Sequence, residues 1–325
     1  MKPPATAVIE DAACGVELEP LSRYLAPRWW PVWTGYGLIR LLALLPWSWQ
    51  GALARALGSI AWHVARRDRR TTLINLRLAF PAMGERERRA LGQRHFRSLV
   101  YSLFEIGLVW FDRSGRLERL TRVEGIEHLD AALAAGKGVL LLGAHFTTNE
   151  IAAAALPQTG HRYDIVYKPT GNALMNRLTL GARLRRRGRL IPSTANFKEM
   201  LLVFKRNGIL LFAPDQRFDG DGHITVPLFG VPALSNPATS LIARATRCRV
   251  LPFIPRRLPD GSGYVMTIGA PLQDFPSGDA TRDVARYYAL IEAAVREAPE
   301  QYLWSYKRFR PVAGQPDPYR RGALR

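Results

Sequence analysis

The stretch GVLLLGAHFTTNEIAA, Gly138 to Ala153, has the pattern of a buried strand, a tight loop and a helix. Val139 to Leu142 is a short apolar run of the length of a buried strand. Gly143 allows a sharp turn where that run ends. An Ala-rich apolar pattern from Ile151 predicts the helix. His145 therefore lies in a loop just beyond the carboxyl end of a strand, where open α/β sheets bind their ligands.

His145 and Glu150 have two interpretations. Residues five apart on one helix point in different directions, so these side chains meet only if the loop folds back over the helix start, which Thr147 or Thr148 could cap. Such a pair forms a general base, because the carboxylate fixes the imidazole tautomer and stabilises the imidazolium. Alternatively, Thr147-x-x-Glu150 is a capping box that only satisfies backbone donors, and His145 is an ordinary loop residue.

Composition and charge narrow the classes of protein. The chain has 325 residues, 47% of them apolar, which predicts one large or two modest domains with an ample core. Its 46 Lys and Arg residues against 27 Asp and Glu residues give a net charge of +19. That excess indicates nucleic acid, anionic lipid or an acidic protein as partner. The alternative is that it reflects a GC-rich genome, which favours arginine. The two cysteines, Cys14 and Cys248, have no metal-site spacing and favour a reducing compartment.

The N-terminal part is predicted to associate with a membrane. After a loosely ordered tail at residues 1–26, residues 27–70 form a helical segment rich in tryptophan, which favours membrane interfaces. Arg40 interrupts its apolar run, which is shorter than the about 20 residues that a span needs. We expect an interfacial anchor or a single span, with the basic run Arg66 to Arg70 on the cytoplasmic side. The alternative is a buried aromatic subdomain. The tryptophans are Trp29, Trp30, Trp33, Trp47 and Trp49.

Residues 71–312 are predicted to form an α/β domain with a mixed, largely parallel sheet flanked by helices, followed by a tail at 313–325. Two helices come first, Thr71 to Phe80 and Glu85 to Trp110. A hairpin with the turn Pro259-Asp260-Gly261 reverses one strand. The predicted strands are Val139 to Leu142, Tyr163 to Tyr167, Leu190 to Ile191, Ile209 to Ala213, Val250 to Ile254 and Tyr264 to Ile268. The predicted helices between and after them are Ile126 to Ala135, Asn172 to Arg187, Phe197 to Arg206, Ala238 to Ala245 and Ala285 to Ala298.

Three polar residues follow predicted strands: His145, Lys168 and Asp215. In a sheet of this type such positions line a common crevice. A base, a cation and a second carboxylate beside an apolar groove suit acyl transfer to a hydroxyl of an anionic acceptor. Taken singly, Lys168 is also an ordinary solvated lysine, and Asp215 is also a turn or cap residue.

The chain resembles the late acyltransferases of lipid A biosynthesis, the lauroyl/myristoyl transferase family, within the wider glycerolipid acyltransferase group defined by His-x4-Asp/Glu. The matching stretches follow the family's order from about residue 30 to residue 312. They are Asn75 to Pro81 (NLRLAFP), Gly143 to Glu150 (GAHFTTNE), Tyr167 to Pro169 (YKP), Phe212 to Asp215 (FAPD), Val226 to Gly230 (VPLFG), Leu251 to Arg257 (LPFIPRR) and Pro299 to Arg310 (PEQYLWSYKRFR).

This resemblance implies transfer of a fatty acyl chain from acyl carrier protein or coenzyme A to a hydroxyl of a lipid A precursor. His145 is then the general base and Glu150 orients and charges it. Lys168 contacts an acceptor phosphate or the oxyanion, and Asp215 orders that cation or the acceptor sugar. Arg177 and Arg183 are further candidate substrate-binding residues; the arginines from 183 to 189 are either a solvated helix end or a landing site for carrier protein or lipid phosphate. No metal and no bound cofactor are implied.

The expected partners are an acyl carrier protein, an anionic lipid acceptor and the cytoplasmic face of a bacterial inner membrane. The chain departs from the family where Lys168 replaces an arginine, which loses the bidentate fork for phosphate, and where Tyr306 replaces a histidine. Other acceptors are therefore alternatives: an ornithine lipid, a lysophospholipid or a carrier-bound metabolite. A nucleic-acid-binding protein and a catalytically inactive membrane scaffold are more distant alternatives, and no nucleic-acid-binding motif accompanies the charge.

Overall fold

The computed structural model describes residues 18–186, 188–193, 197–259, 261–312 and 314–320. Residues 1–17 of the predicted N-terminal tail, which include Cys14, and residues 313 and 321–325 of the predicted C-terminal tail lie outside the described residues, as do Arg187 and Asp260. The strands are β1 Thr121–Glu124, β2 Val139–Leu142, β3 Tyr163–Tyr167, β4 Gly188–Pro192, β5 Ile209–Phe212, β6 Ile224–Leu228, β7 Val231–Ser235, β8 Arg249–Arg257 and β9 Tyr264–Ile268.

Helices surround these strands and also precede them. They are α1 Trp30–Ala43, α2 Trp47–Val64, α3 Arg66–Ala79, α4 Glu85–Phe111, α5 Arg116–Leu120, α6 Ile126–Ala134, α7 Asn149–Ala155, α8 Ala173–Arg185, α9 Phe197–Lys205, α10 Ala238–Thr246 and α11 Ala280–Glu297. Short 3₁₀ turns cover Leu21–Tyr24, Pro27–Trp29, Leu156–Thr159 and Pro299–Gln301.

The main sheet of the described chain has seven strands in the order β1-β9-β8-β2-β5-β3-β4. Neighbouring strands run parallel except β8 and β9, which are antiparallel. The predicted mixed, largely parallel sheet flanked by helices is therefore confirmed. β2 lies at the centre, between β5 and β8, so the loop that carries His145 leaves the middle of the sheet.

β2 is apolar throughout because both faces of the sheet are covered. Its side chains alternate between two hydrophobic clusters. Leu140 and Leu142 belong to one cluster, with helix α11, and Val139 and Leu141 belong to the other, with helix α7. All four are buried. A strand that is buried on both faces shows a continuous apolar run, as VLLL does here.

Two strand regions were missed by the sequence analysis. β1 is a four-residue edge strand in which Arg122 and Glu124 are exposed, so it has no apolar pattern. β6 and β7 form a separate antiparallel pair in which Pro227 faces Pro232. Proline lacks the N–H that a strand donates, so each proline lowers the strand signal of its segment. Both prolines are tolerated here because, among the described strands, this pair has no further partner.

The N-terminal helices α1 and α2 both pack on the long helix α4. Trp29, Trp33 and Trp47 are partly buried against the core, whereas Trp30 and Trp49 are exposed. Within the described ranges, none of the helices combines the length and the hydropathy required to cross a membrane. Large apolar side chains nevertheless remain exposed on α1, α2 and the turn between them: Trp30, Leu38, Leu41, Leu44, Trp49, Leu57, Ile60 and Val64.

Helices α2 and α4 approach closely at Gly58, where an added Cβ atom would lie 2.5 Å from the Cα atom of Arg97. We expect Gly58→Ala to lower the free energy of unfolding by about 1–3 kcal/mol, because backbone atoms must move apart. Gly35→Ala is the matched control, since Gly35 is also helical and nothing lies within 4 Å of its added Cβ. That control should gain up to about 1 kcal/mol from helix propensity. Equal unfolding temperatures for the two variants would contradict the close approach.

Candidate active site

The register of the two central strands places His145 beside Asp215. β2 and β5 are parallel, and Leu142 pairs with Phe212 at their carboxyl ends. His145 and Asp215 each lie three residues beyond that pair, so they leave the sheet at the same level. The Nδ1 atom of His145 lies 2.5 Å from Oδ1 of Asp215, and the His145 backbone N–H donates to Oδ2 at 3.0 Å.

Asp215 is buried, with 1% of its surface exposed. Burial by itself raises the pKa of this carboxyl group, but the His145 charge, both hydrogen bonds from His145 and the nearby Arg308 hold its pKa below the ordinary value. The hydroxyl of Tyr302 donates a further hydrogen bond to Oδ2 at 3.1 Å. The Asp215 carboxylate is therefore ionised and its orientation is fixed from three sides.

The pKa of His145 is shifted in the opposite direction to that of Asp215. Burial lowers the pKa of its imidazole, but the charge and the hydrogen bond of Asp215 more than offset this, so its pKa lies above the ordinary value. When the ring is neutral, the proton sits on Nδ1 and is donated to Asp215, which leaves Nε2 as the basic nitrogen. About a third of the side chain, 33%, remains exposed.

The C-terminal segment fixes the loop that carries His145. The Leu303 N–H donates to the carbonyl oxygen of His145 at 3.0 Å, and the Thr147 N–H donates to that of Gln301 at 2.7 Å. Phe146 and Tyr302 form the antiparallel bridge between these two bonds. The sequence analysis missed Tyr302 as a site residue, although it lies inside the matching stretch from 299 to 310. Neither its spacing nor its neighbours in sequence indicated contact with Asp215.

The expected contact between His145 and Glu150 is wrong. The Glu150 carboxylate forms an ion pair with the Arg183 guanidinium instead, with Nε to Oε2 at 3.4 Å and a closer contact from Nη2. The capping box is not formed either. Thr148 is the residue before α7 and its side chain caps nothing, while the Thr147 hydroxyl bonds that of Ser98 at 2.7 Å. Asp215 forms the contact with His145 that was expected of Glu150, because the register of β2 and β5 brings it level with His145.

A cavity of about 250 Å³ opens beside His145. Its polar side chains include those of His145, Glu150, Lys168 and Arg183, and Asp215 lies behind the imidazole. Lys168 follows the end of β3, is exposed, and has no ion-pair partner among the described residues. The apolar part of the lining includes Ala152, Ala153, Ile165, Val166, Leu211 and Phe253. The cavity thus combines a base, two cations and an apolar wall.

Arg177 does not belong to this cavity, contrary to expectation. It lies on α8 six residues before Arg183, and at about 100° per residue the two side chains leave the helix in different directions. Its Nε atom donates to the carbonyl oxygen of Glu19 at 2.5 Å, so it binds the chain's own N-terminal segment. Among the described residues, no group of three or more His, Cys, Asp or Glu is arranged to hold a metal ion.

A buried polar network supports the other side of the loop. Nε of Arg257 donates to Glu105 at 2.7 Å and Nη1 donates to the Ser98 hydroxyl at 2.8 Å. The same guanidinium stacks on the Tyr101 ring, 4.4 Å from its centroid. Ser98 then bonds Thr147, two residues after His145. These residues are distant in sequence, so no local pattern indicated the network.

Replacing Asp215 by asparagine tests the electrostatics of the pair. Asp215→Asn removes the charge that raises the pKa of His145 and leaves burial, which lowers it. We therefore expect the His145 pKa to fall below 6.5, the ordinary value of histidine, in an NMR titration of the histidine rings.

The second histidine–aspartate pair supplies the control for that titration. Asp130 binds the ring of His161 at 2.7 Å on the surface. Asp130→Asn should leave the His145 titration unchanged. An unchanged His145 pKa in Asp215→Asn would contradict the inferred electrostatic coupling.

The sequence of the chain matches known proteins of one family. The family model described as "Bacterial lipid A biosynthesis acyltransferase" matches residues 19–311. The chain is 34% identical over 291 residues to the "Lipid A biosynthesis lauroyltransferase" of Escherichia coli (strain K12), covering 88% of this chain and 93% of that protein. It is 30% identical over 292 residues to the "Lipid A biosynthesis palmitoleoyltransferase" of the same strain, covering 89% and 94%.

A third relative from Escherichia coli (strain K12), the "Lipid A biosynthesis myristoyltransferase", is 25% identical over 301 residues, covering 92% of this chain and 93% of that protein. These three relatives carry the names of three different acyl chains, and the name of each includes acyl transfer in lipid A biosynthesis. The family match spans nearly the whole described chain, including β2, β5 and the C-terminal segment that build the site. The chain therefore belongs to the bacterial lipid A biosynthesis acyltransferase family and is an acyltransferase.

Proposed function

We propose that this enzyme transfers a fatty acyl chain from an acyl thioester to a hydroxyl of a lipid A precursor, with His145 as the general base. The observation that carries the proposal is the His145–Asp215 pair at the carboxyl ends of two adjacent parallel strands, beside a cavity with cationic and apolar walls. The names of the relatives support the lipid A precursor as acceptor. The thioester donor follows from the resemblance of the sequence to the family.

The proposed reaction uses both ring nitrogens of His145. Nδ1–H remains bonded to Asp215, and Nε2 accepts the proton of the acceptor hydroxyl as its oxygen attacks the thioester carbonyl. Formation of the new C–O bond gives a tetrahedral intermediate, and the C–S bond breaks as this intermediate collapses. The leaving sulfur then takes the proton from the imidazolium, so the products are an ester and a thiol. The hydroxyl attacks directly, and no acyl-enzyme is formed.

The cationic side chains of the cavity are suited to binding the negatively charged groups of the proposed reaction, which are the oxyanion and an acceptor phosphate. Lys168 and Arg183 line it together with His145, so they are proposed to bind the oxyanion or an acceptor phosphate. Glu150 holds Arg183 through their ion pair and leaves part of the guanidinium fork available. We thus assign Glu150 the role of positioning Arg183, whereas Asp215 orients His145.

The exposed apolar side chains of α1 and α2 support a location at the cytoplasmic face of the inner membrane, where a lipid acceptor is accessible. The net charge of +19 is complementary to an acidic donor carrier, either acyl carrier protein or the phosphate-rich coenzyme A.

Removing the base should abolish transfer without unfolding the protein. We expect His145→Ala to lower kcat by about 10²–10⁴-fold, and to fail to restore the missing secondary acyl chain of lipid A in cells that lack the protein, as read by mass spectrometry of lipids. His161→Ala, at the surface histidine, is the control and should retain activity. Wild-type turnover by His145→Ala would exclude the mechanism. Loss of a different lipid in the deletion strain would reassign the acceptor.

The pH profile provides a second readout of the same base. His145 must be neutral to accept a proton, so the rate should rise with pH through its pKa, which Asp215 raises above the ordinary value. In Asp215→Asn the rising limb should move to lower pH while the maximal rate falls.

Lys168 should act on the acceptor. Lys168→Ala removes a cation from the cavity, and losing a charged hydrogen bond of about 1.5–3 kcal/mol predicts an acceptor KM raised by about ten- to a hundredfold. Lys137→Ala is the control, because Lys137 is exposed and does not line the cavity. An unchanged acceptor KM with full rate would remove Lys168 from the site.

A further inference from the structure

A second, larger cavity lies between helix α1 and the end of helix α4. Its volume is about 620 Å³, against about 250 Å³ for the cavity beside His145. None of the described residues that line one cavity lines the other. We call it the arginine cavity, after Arg40, Arg113, Arg116 and Arg185, which contribute its cationic lining.

The described lining of this cavity contains four arginines and one carboxylate, so its positive charge is only partly neutralised. Asp112 is the one carboxylate in the lining, and its oxygens accept from the Ser114 N–H and hydroxyl and from the Leu117 N–H. Arg185 donates to the carbonyl oxygen of Trp110 at 3.3 Å. Arg40, Arg113 and Arg116 form no ion pair with any described carboxylate. Grouping like charges costs free energy unless an anion binds between them.

The other walls of the arginine cavity are aromatic. The Tyr36 ring packs on Phe111 with centroids 5.0 Å apart, and the Arg40 guanidinium lies 6.0 Å from the Phe111 centroid. Trp110 also lines the cavity, and its indole N–H is buried without a hydrogen-bond acceptor among the described residues.

The arginine cavity opens beside exposed apolar surface. Leu44 lines it and is 74% exposed. Leu41, three residues earlier on α1, is exposed next to it on the same helix face. A ligand that places an anionic group among the arginines can therefore extend hydrocarbon chains along these leucines. That combination fits a lipid better than it fits a carboxylate of an acidic protein.

We propose that the arginine cavity binds the phosphate of a lipid headgroup, with Arg40, Arg113 and Arg116 as its main contacts. Two sources have this chemistry: an anionic glycerophospholipid of the surrounding membrane, and a phosphate on the acceptor itself. Occupation would anchor α1 and the end of α4 to the membrane surface through a specific site in addition to general charge attraction. Binding of a glycerophospholipid requires no turnover and stands independently of the proposed acyl transfer, whereas binding of an acceptor phosphate rests on the proposed function.

The test measures binding to the full chain in neutral detergent. The probe is dihexanoyl phosphatidylglycerol, and dihexanoylglycerol serves as the probe without phosphate. The variant Arg40→Gln/Arg113→Gln/Arg116→Gln is compared with Arg244→Gln/Arg249→Gln/Arg282→Gln, which removes the same charge from exposed arginines outside the cavity. We expect the cavity variant to raise the Kd by about tenfold or more, and the control to change it by less than about twofold.

A folding defect is checked by thermal unfolding of both triple variants. If the cavity variant melts early, Arg113→Gln, at an exposed side chain, is compared with Arg244→Gln in its place. The single cavity variant should still weaken phosphatidylglycerol binding by about threefold or more, and its control should not.

The acceptor is tested in a second arm, with phosphorylated and dephosphorylated forms. If phosphatidylglycerol does not bind but the cavity variant raises the KM of the phosphorylated acceptor alone, the bound phosphate belongs to the acceptor. Equal effects of the cavity and control variants in both arms would overturn the proposal.

Discussion

The site depends on one buried carboxylate. Asp215 accepts hydrogen bonds from the ring and the backbone of His145 and from the Tyr302 hydroxyl. It therefore joins the end of β5, the loop after β2 and the C-terminal segment at one point. A buried carboxylate is costly unless charged and hydrogen-bonding partners surround it. The same partners that compensate its burial also define the tautomer and the orientation of the His145 ring, so the stability and the geometry of the pair have a common origin.

The long helix α4 supports the loop that carries His145 from the opposite side. It carries Ser98 and Glu105, which bind the Arg257 guanidinium inside the protein. A buried ion pair adds little net stability, but breaking one partner is costly, so it holds its neighbours in one arrangement. Ser98 also forms a hydrogen bond with Thr147, so this network holds the loop after β2 in place. Because α1 and α2 also pack on α4, the N-terminal helices and the loop that carries His145 are supported by the same helix.

The sequence predicted the elements of the sheet better than the partners within the site. Strand ends are marked by local patterns, so His145, Lys168 and Asp215 could be assigned to one edge of the sheet from the sequence. Which carboxylate binds His145 depends on the register of β2 against β5, and no local sequence pattern indicates that register. The bonds of Arg183, Tyr302 and Arg257 join residues that are distant in sequence. The β6–β7 pair was missed because its prolines weaken the usual strand signal.

The arginines of α8 show how the charge excess is divided between structure and ligand binding. Arg186 donates to the carbonyl oxygens of Val109 and Asp112, and Arg185 to that of Trp110, so both satisfy the end of α4. Arg183 instead faces the cavity of His145. One short helix end thus connects α4, the cavity beside His145 and the arginine cavity. Its arginines are divided between hydrogen bonds to the backbone of α4 and the linings of the two cavities. Under the proposed binding of a lipid phosphate, the arginine cavity accounts for part of the charge excess of the chain.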